Sequence, residues 1–344
     1  MHLSLPPILT DLFINFRTMQ GLPRLLEVLQ QYATAHPFPQ TPNELYEPCA
    51  YMLELGGKRL RPALLLMACN MYQDDIEGAL PAAWAVELFH NFTLMHDDIM
   101  DAAPLRRGKQ TVHTRWNLTT GILSGDVMLI HAYRHLADYI KPQIVPELIQ
   151  IFNRVAIGVC EGQQMDVNFE TQRDVSLEAY LQMIELKTAV LLGGALEMGA
   201  RCGNASSEDA RHLYEFGRLA GIAFQIQDDL LDTYGDPAKF GKQVGGDILQ
   251  NKKTFLVLKT METASEADQL ALQQWMETGP ETDGVAKITA VRALFDRNDI
   301  PAQVEAVKQQ FQDEAFQHLE AVALPDTQKI VLRQLVADLL QRES

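Results

Sequence analysis

Two aspartate clusters constrain this chain more than any other feature. Asp97-Asp98-Ile99-Met100-Asp101 and Asp228-Asp229-Leu230-Leu231-Asp232 each read D-D-x-x-D inside an otherwise apolar, proline-free stretch. Phe92-Thr93-Leu94-Met95 leads into the first, and Phe224-Gln225-Ile226-Gln227 into the second. Both stretches predict helices. At about 100° per residue, Asp97 and Asp101 project from one face, as do Asp228 and Asp232. A solvated acidic face would not be framed by apolar sequence, so these carboxylates are expected to point inward. Two such faces turned toward each other make a cage whose repulsion a hard divalent cation relieves. Mg²⁺ suits it, because that ion shares its shell between carboxylates and substrate phosphates.

The rest of the chain fits helices around these two. Apolar residues recur at three- and four-residue spacing, and strand-like alternation is scarce. Gly and Pro break the periodicity and leave room for helices over 60–72, 82–101, 118–140, 144–166, 176–201, 207–233, 251–262, 284–297, 302–322 and 326–341. Three of them (82–101, 176–201 and 207–233) are apolar nearly all round, as buried central helices are. With 344 residues and 47% hydrophobic content the chain can bury a large core. The expectation is one all-α domain spanning 1–344, a large helical bundle carrying its carboxylates inward.

Charge excludes one class of partner. The formal net charge is −16, spread along the chain, whereas a nucleic-acid binder needs a basic footprint. Anionic substrates stay open, since metals and local cations invert the sign inside a pocket. Cys49, Cys69, Cys160 and Cys202 show no C-x-x-C spacing and read as reduced core thiols of a cytoplasmic protein. No signal peptide and no transmembrane segment are expected.

Basic residues cluster at a few points. Gly56-Gly57-Lys58-Arg59-Leu60-Arg61-Pro62 opens a helix from a glycine pair, which lets backbone approach an anion while Lys58 and Arg61 add charge. Arg106-Arg107 follows the first aspartate cluster by one short loop, and Arg suits bidentate phosphate contact. Lys187-Thr188 lies in an apolar helix, where a lone Lys is costly without an anion. Lys242 and Lys252 flank the loop after the second cluster. Separate basic patches beside two metal-capable faces describe a site for two phosphorylated substrates.

In order along the chain, G-G-K-R-L-R-P, H-N-F-T-L-M-H-D-D-I-M-D, L-R-R-G-K-Q-T-V-H, E-G-Q-Q-M-D, Lys187-Thr188 and F-Q-I-Q-D-D-L-L-D resemble the trans-isoprenyl diphosphate synthases of the polyprenyl synthetase family. The resemblance runs from about Gly56 to Lys252. It implies an all-α bundle with a deep central cavity, a homodimer, and condensation of isopentenyl diphosphate with an allylic diphosphate. By motif, Asp97, Asp101 and Asp228 would bind Mg²⁺, three ions per site with diphosphate bound, and Asp98, Asp229 and Asp232 would complete the clusters. Arg106, Lys187, Thr188, Gln225, Lys242 and Lys252 would contact the allylic substrate. Lys58, Arg61, His90 and Arg107 would bind isopentenyl diphosphate, with Gln163 and Asp166 supporting the allylic side. Two positions depart from the family pattern: Gln110, often proline, and Asn251, often glycine.

A helical phosphohydrolase built on His96-Asp97 would not need the second cluster. A non-catalytic partner subunit should have lost one cluster, and a terpene cyclase would not need Lys58, Arg61 and Arg107. For product length, Phe92 is the candidate floor, beside Thr93 and Phe89 on the first-cluster helix. An aromatic there with a small Thr93 resembles C20 (geranylgeranyl) synthases, with C15 (farnesyl) as the runner-up.

Overall fold

The computed structural model describes residues 21–138, 141–235, 244–279 and 282–341. Lys242, expected at the allylic site, lies outside the described residues. The fold is all-α, and among the described residues its only strands are the two-residue pair β1 (Leu105–Arg106) and β2 (Lys109–Gln110). Two compact units are distinguished, residues 1–151 with 195–210 and residues 152–194 with 211–344. No helix among the described residues is long and apolar enough to cross a membrane.

The first unit contains α1 (Leu22–Ala35), α2 (Asn43–Glu54), α3 (Leu60–Asn70), α4 (Leu80–Met100), α5 (Val112–Arg115) and α6 (Leu118–Ala137). Every residue of α4 from Leu80 to Phe89 is buried, which is why this stretch shows no polar face in sequence. Its most extensive packing is against α6, and two glycines make that possible. A Cβ on Gly125 would lie 2.2 Å from His96 Nε2, and one on Gly121 would lie 2.8 Å from Ile99 Cδ1.

The second unit is built on α7 (Val145–Thr171), α8 (Leu177–Ile184), α9 (Val190–Cys202), α10 (Ser207–Tyr234), α11 (Gly246–Leu249), α12 (Phe255–Thr263), α13 (Glu266–Met276), α14 (Gly284–Arg297), α15 (Ile300–Ala321) and α16 (Asp326–Gln341), with the first residues of α7 and α10 and the last of α9 in the other unit. Phe255, Phe295, Leu272 and Val304 are fully buried in one cluster, each worth about 1.5–3 kcal/mol of apolar burial.

The sequence spacing and the structure differ at several places. The helix expected over 176–201 is broken by a π turn at Glu185–Ala189. The helix expected from 251 starts at Phe255, because Asn251 takes a positive φ of 59° and ends α11 instead. Finally, α1, α2 and α13 lie outside the expected helices; α13 has its apolar stripe blurred by Gln269, Gln273 and Gln274. Its start is marked by Ser265, whose Oγ accepts the Asp268 amide at 3.3 Å.

Candidate active site

On α4, Glu87, His90, Leu94, Asp97 and Asp101 recur at alternating three- and four-residue steps and so form one straight stripe. Asp97 is half-buried and Asp101, at the helix end, is exposed. Asp98 points elsewhere: it is 2% exposed and gripped by Arg106, whose Nε donates to its two oxygens at 2.9 and 2.8 Å. The same guanidinium reaches Asp97 Oδ2 at 3.8 Å. The first cluster thus splits into an inward carboxylate locked by Arg106 and an outward pair, Asp97 and Asp101, on the stripe.

Arg106 owes its position to a tight hairpin. It pairs with Lys109 across the two-residue turn Arg107-Gly108, whose φ values are 54° and 76°. Positive φ at both central residues is the type I′ requirement. Gly108 meets it freely, whereas Arg107 is held in a conformation that costs an L residue about 1–2 kcal/mol. That turn lays Arg107 against the glycine pair before α3: a Cβ on Gly57 would be 2.9 Å from Arg107 Nη2. Gly57, with φ 150°, has a backbone conformation that favours glycine, whereas the Arg107 guanidinium is the movable end of a long side chain.

The result is a basic pocket around one buried acid. Arg61 Nη1 donates to His90 Nε2 at 3.1 Å, so His90 carries its proton on Nδ1. Burial first, then Arg61, Arg107 and Arg106, hold the His90 pKa well below the usual imidazole value, and the ring is neutral. Burial pushes Arg61 down to about 10, while Glu87 opposes that shift. Burial raises the Glu87 pKa; Arg59, Asn91, Arg61 and Arg107 pull it back. Arg61 Nε is buried with no hydrogen-bond partner among the described residues. An unsatisfied donor in a pocket with excess arginine is a place for an anion. Lys58 is exposed at the mouth of the same glycine turn.

In the second unit, Gln225, Asp228 and Asp232 share one face of α10, all half-buried. Asp229 again turns inward, 4% exposed, where it accepts hydrogen bonds from the Tyr180 hydroxyl and from the Phe255 amide, the latter at 3.0 Å. Burial pushes its pKa up to about 7, against the pull of those two donors. Asp232 Oδ2 accepts the Asp247 amide at 2.9 Å, and Lys252 Nζ lies 3.2 Å from Asp247 Oδ1. The two clusters therefore repeat one plan, a buried middle aspartate anchored to protein and two outer carboxylates that are half-buried or exposed.

Lys187 and Thr188 occupy the π turn, a local feature that often marks function. Lys187 Nζ meets Asp166 Oδ2 at 2.6 Å, so one of the supporting residues of the E-G-Q-Q-M-D motif is the partner of this lysine. Half-buried Gln163 lies on the same helix, α7. Sequence reading missed Glu87, Arg59 and Tyr180. The signal for Glu87 was a lone acid in the apolar run Ala82 to Phe89; Tyr180 had none.

Phe92 is half-buried, with its ring centroid 4.8 Å from His96 and 5.7 Å from Phe89. By the helix step it lies about 140° round α4 from Asp97, against about 40° for Thr93.

Residues 42–293 match the polyprenyl synthetase family model. The chain is 42% identical over 228 residues to a geranylgeranyl diphosphate synthase of Methanosarcina mazei, an alignment covering 66% of this chain and 70% of that one. It is also 42% identical over 224 residues to a short chain isoprenyl diphosphate synthase of Methanocaldococcus jannaschii, covering 65% and 68%. A crystal structure of a geranylgeranyl pyrophosphate synthase superposes with a TM-score of 0.90 at 43% identity, covering 95% of this chain and 100% of that one. The chain belongs to the polyprenyl synthetase family, as a trans-isoprenyl diphosphate synthase and so a prenyltransferase.

Proposed function

We propose that this prenyltransferase condenses isopentenyl diphosphate with allylic diphosphates to give geranylgeranyl diphosphate. The observation that carries the reading is the α4 stripe, where His90, touched by Arg61 of α3 in the anion pocket, lies on one helix face with the outward pair Asp97 and Asp101. The names of the similar proteins support the C20 product.

Asp97 and Asp101, with Asp228 and Asp232, would hold Mg²⁺. Their chemistry fits: each is a carboxylate at least partly open to solvent, and Mg²⁺ takes one or two carboxylates plus substrate phosphate rather than an all-protein cage. Bound there, Mg²⁺ would stabilise negative charge on the departing diphosphate. Lys187 and Lys252, with Arg106, Thr188, Gln225 and Lys242, would add cationic and hydrogen-bond contacts to that group. Lys58, Arg61, His90 and Arg107 would orient isopentenyl diphosphate for attack. The allylic C–O bond breaks with its electron pair leaving on diphosphate. The isopentenyl double bond then supplies the electrons of the new C–C bond, and the released diphosphate accepts the proton that restores an alkene. Apolar walls keep water from the cation.

A homodimer is the expected assembly, supported by exposed Ile122, Leu123 and Ile130 on one side of α6. All four cysteines are free, with Cys49, Cys69 and Cys202 buried as expected but Cys160 exposed on α7 rather than in the core. Free thiols suit a reducing, cytoplasmic setting. The test is incubation with Mg²⁺, labelled isopentenyl diphosphate and dimethylallyl, geranyl or farnesyl diphosphate in turn, followed by chromatography of the dephosphorylated products. A C20 alcohol is expected. No elongation from any primer would overturn the activity; a dominant C15 or longer product would overturn only the length.

A further inference from the structure

The turn after α11 contains a device outside every motif. Asn251 has φ 59°, its amide donates to Ile248 O at 3.2 Å, and the Lys252 amide donates to Asp247 O at 2.9 Å. That pair of bonds closes a helix on a left-handed residue, a place usually taken by glycine. Asn bears the conformation better than most L residues, but not freely. Here its side chain is held from two directions. Asn251 Nδ2 donates to Thr278 O at 3.1 Å, and the Lys287 ammonium donates to Asn251 Oδ1.

Lys287 lies on α14 and is 2% exposed, which is rare for lysine. Burial pushes its pKa down, so its charge persists at a cost that a fixed acceptor must offset. The turn it holds leads directly to the second aspartate cluster, since Lys252 Nζ is 3.2 Å from Asp247 Oδ1 and the Asp247 amide is 2.9 Å from Asp232 Oδ2.

We propose that Lys287 is a positioning residue for the allylic diphosphate, acting through Asn251 to hold the left-handed turn that presents Lys252. The inference rests on the reading of Lys252 as a diphosphate contact. It also accounts for Asn where the family pattern often has glycine: the buried ammonium does for asparagine what glycine does without help.

Lys287→Met keeps the stem's bulk and removes the ammonium. Its KM for the allylic diphosphate should rise about five- to tenfold, as for one charge-assisted contact weakened at second hand. The isopentenyl KM and kcat should stay within about twofold. Hydrogen exchange of the amides over 246–254 should quicken in the same variant. In an Asn251→Gly background, glycine holds the positive φ unaided, so adding Lys287→Met should shift the allylic KM by less than about twofold. Equal losses in both backgrounds, or kcat and both KM values worsening together, would make Lys287 a packing residue and overturn the proposal. Lys252→Ala separates the two readings. An unchanged allylic KM there overturns the contact reading itself; a raised one, with none in Lys287→Met, overturns only the positioning role.

Discussion

Gly162 lies directly against the backbone of Lys187: a Cβ on Gly162 would come 2.2 Å from Lys187 N and 2.7 Å from Leu186 C. The π turn is thus seated on α7 at a residue without a side chain. Asp166, one helical turn farther along α7, then meets Lys187 Nζ at 2.6 Å. Gly162→Ala should force the turn outward and cost about 1–3 kcal/mol by overpacking. Its allylic KM should rise with the loss of melting temperature. A variant with wild-type melting and kinetics would show that the contact is not needed.

Asp97 and Asp98 should respond differently to mutation. Asp97→Ala removes an outward carboxylate and is expected to cut turnover by several orders of magnitude with the helical circular dichroism unchanged. Asp98→Ala removes the partner of Arg106 and should destabilise the fold by about 2 kcal/mol, discounted from a fully buried pair because Arg106 is partly exposed. Urea titration and single-turnover assays on both variants check this. Activity within tenfold of wild type in folded Asp97→Ala protein would sink its role as a metal ligand.

The two anion sites should separate in steady-state kinetics. Arg61→Ala should chiefly raise the KM for isopentenyl diphosphate, and Lys187→Ala should chiefly impair the allylic side. Each loses about 1.5–3 kcal/mol, the worth of a charge-assisted contact. The assignment fails if Arg61→Ala leaves the isopentenyl KM unchanged.

Product length tests the α4 wall. Phe92→Ala should lengthen the product, and Thr93→Phe, nearer the Asp97 face, should shorten it. Identical chain lengths from wild type and both variants, read by chromatography, would mean that residues on other helices set the limit.

His135 gives the first unit a pH dependence. Burial, then His36 and His131, lower its pKa from 6.5 to about 4, and the Tyr32 hydroxyl pairs with its Nδ1 at 3.0 Å. Between those two values the unfolded chain binds the proton and the folded one does not, so stability falls as pH drops through that window. With solvent screening the loss is about 2 kcal/mol. His135→Gln should flatten the urea midpoint between pH 6.5 and 4. An unchanged slope would falsify this assignment.

By itself the sequence determined the all-α class, both carboxylate faces and most of the cationic residues. Each of these depends on spacing along one helix or on charge placed against an apolar frame, and both are local. Spacing set Asp97 with Asp101 and Asp228 with Asp232 on common faces, but it could not say that Asp98 and Asp229 are the carboxylates locked into the protein. All four are aspartates in one pattern, and only the partners that arrive from elsewhere, Arg106, Tyr180 and the Phe255 amide, decide which is locked inside. Nor could it show the π turn over Gly162, the left-handed Arg107, or the tie from Lys287 to Asn251. Those are contacts between residues distant in the chain, or backbone conformations that packing imposes against local preference, and tertiary structure alone fixes them.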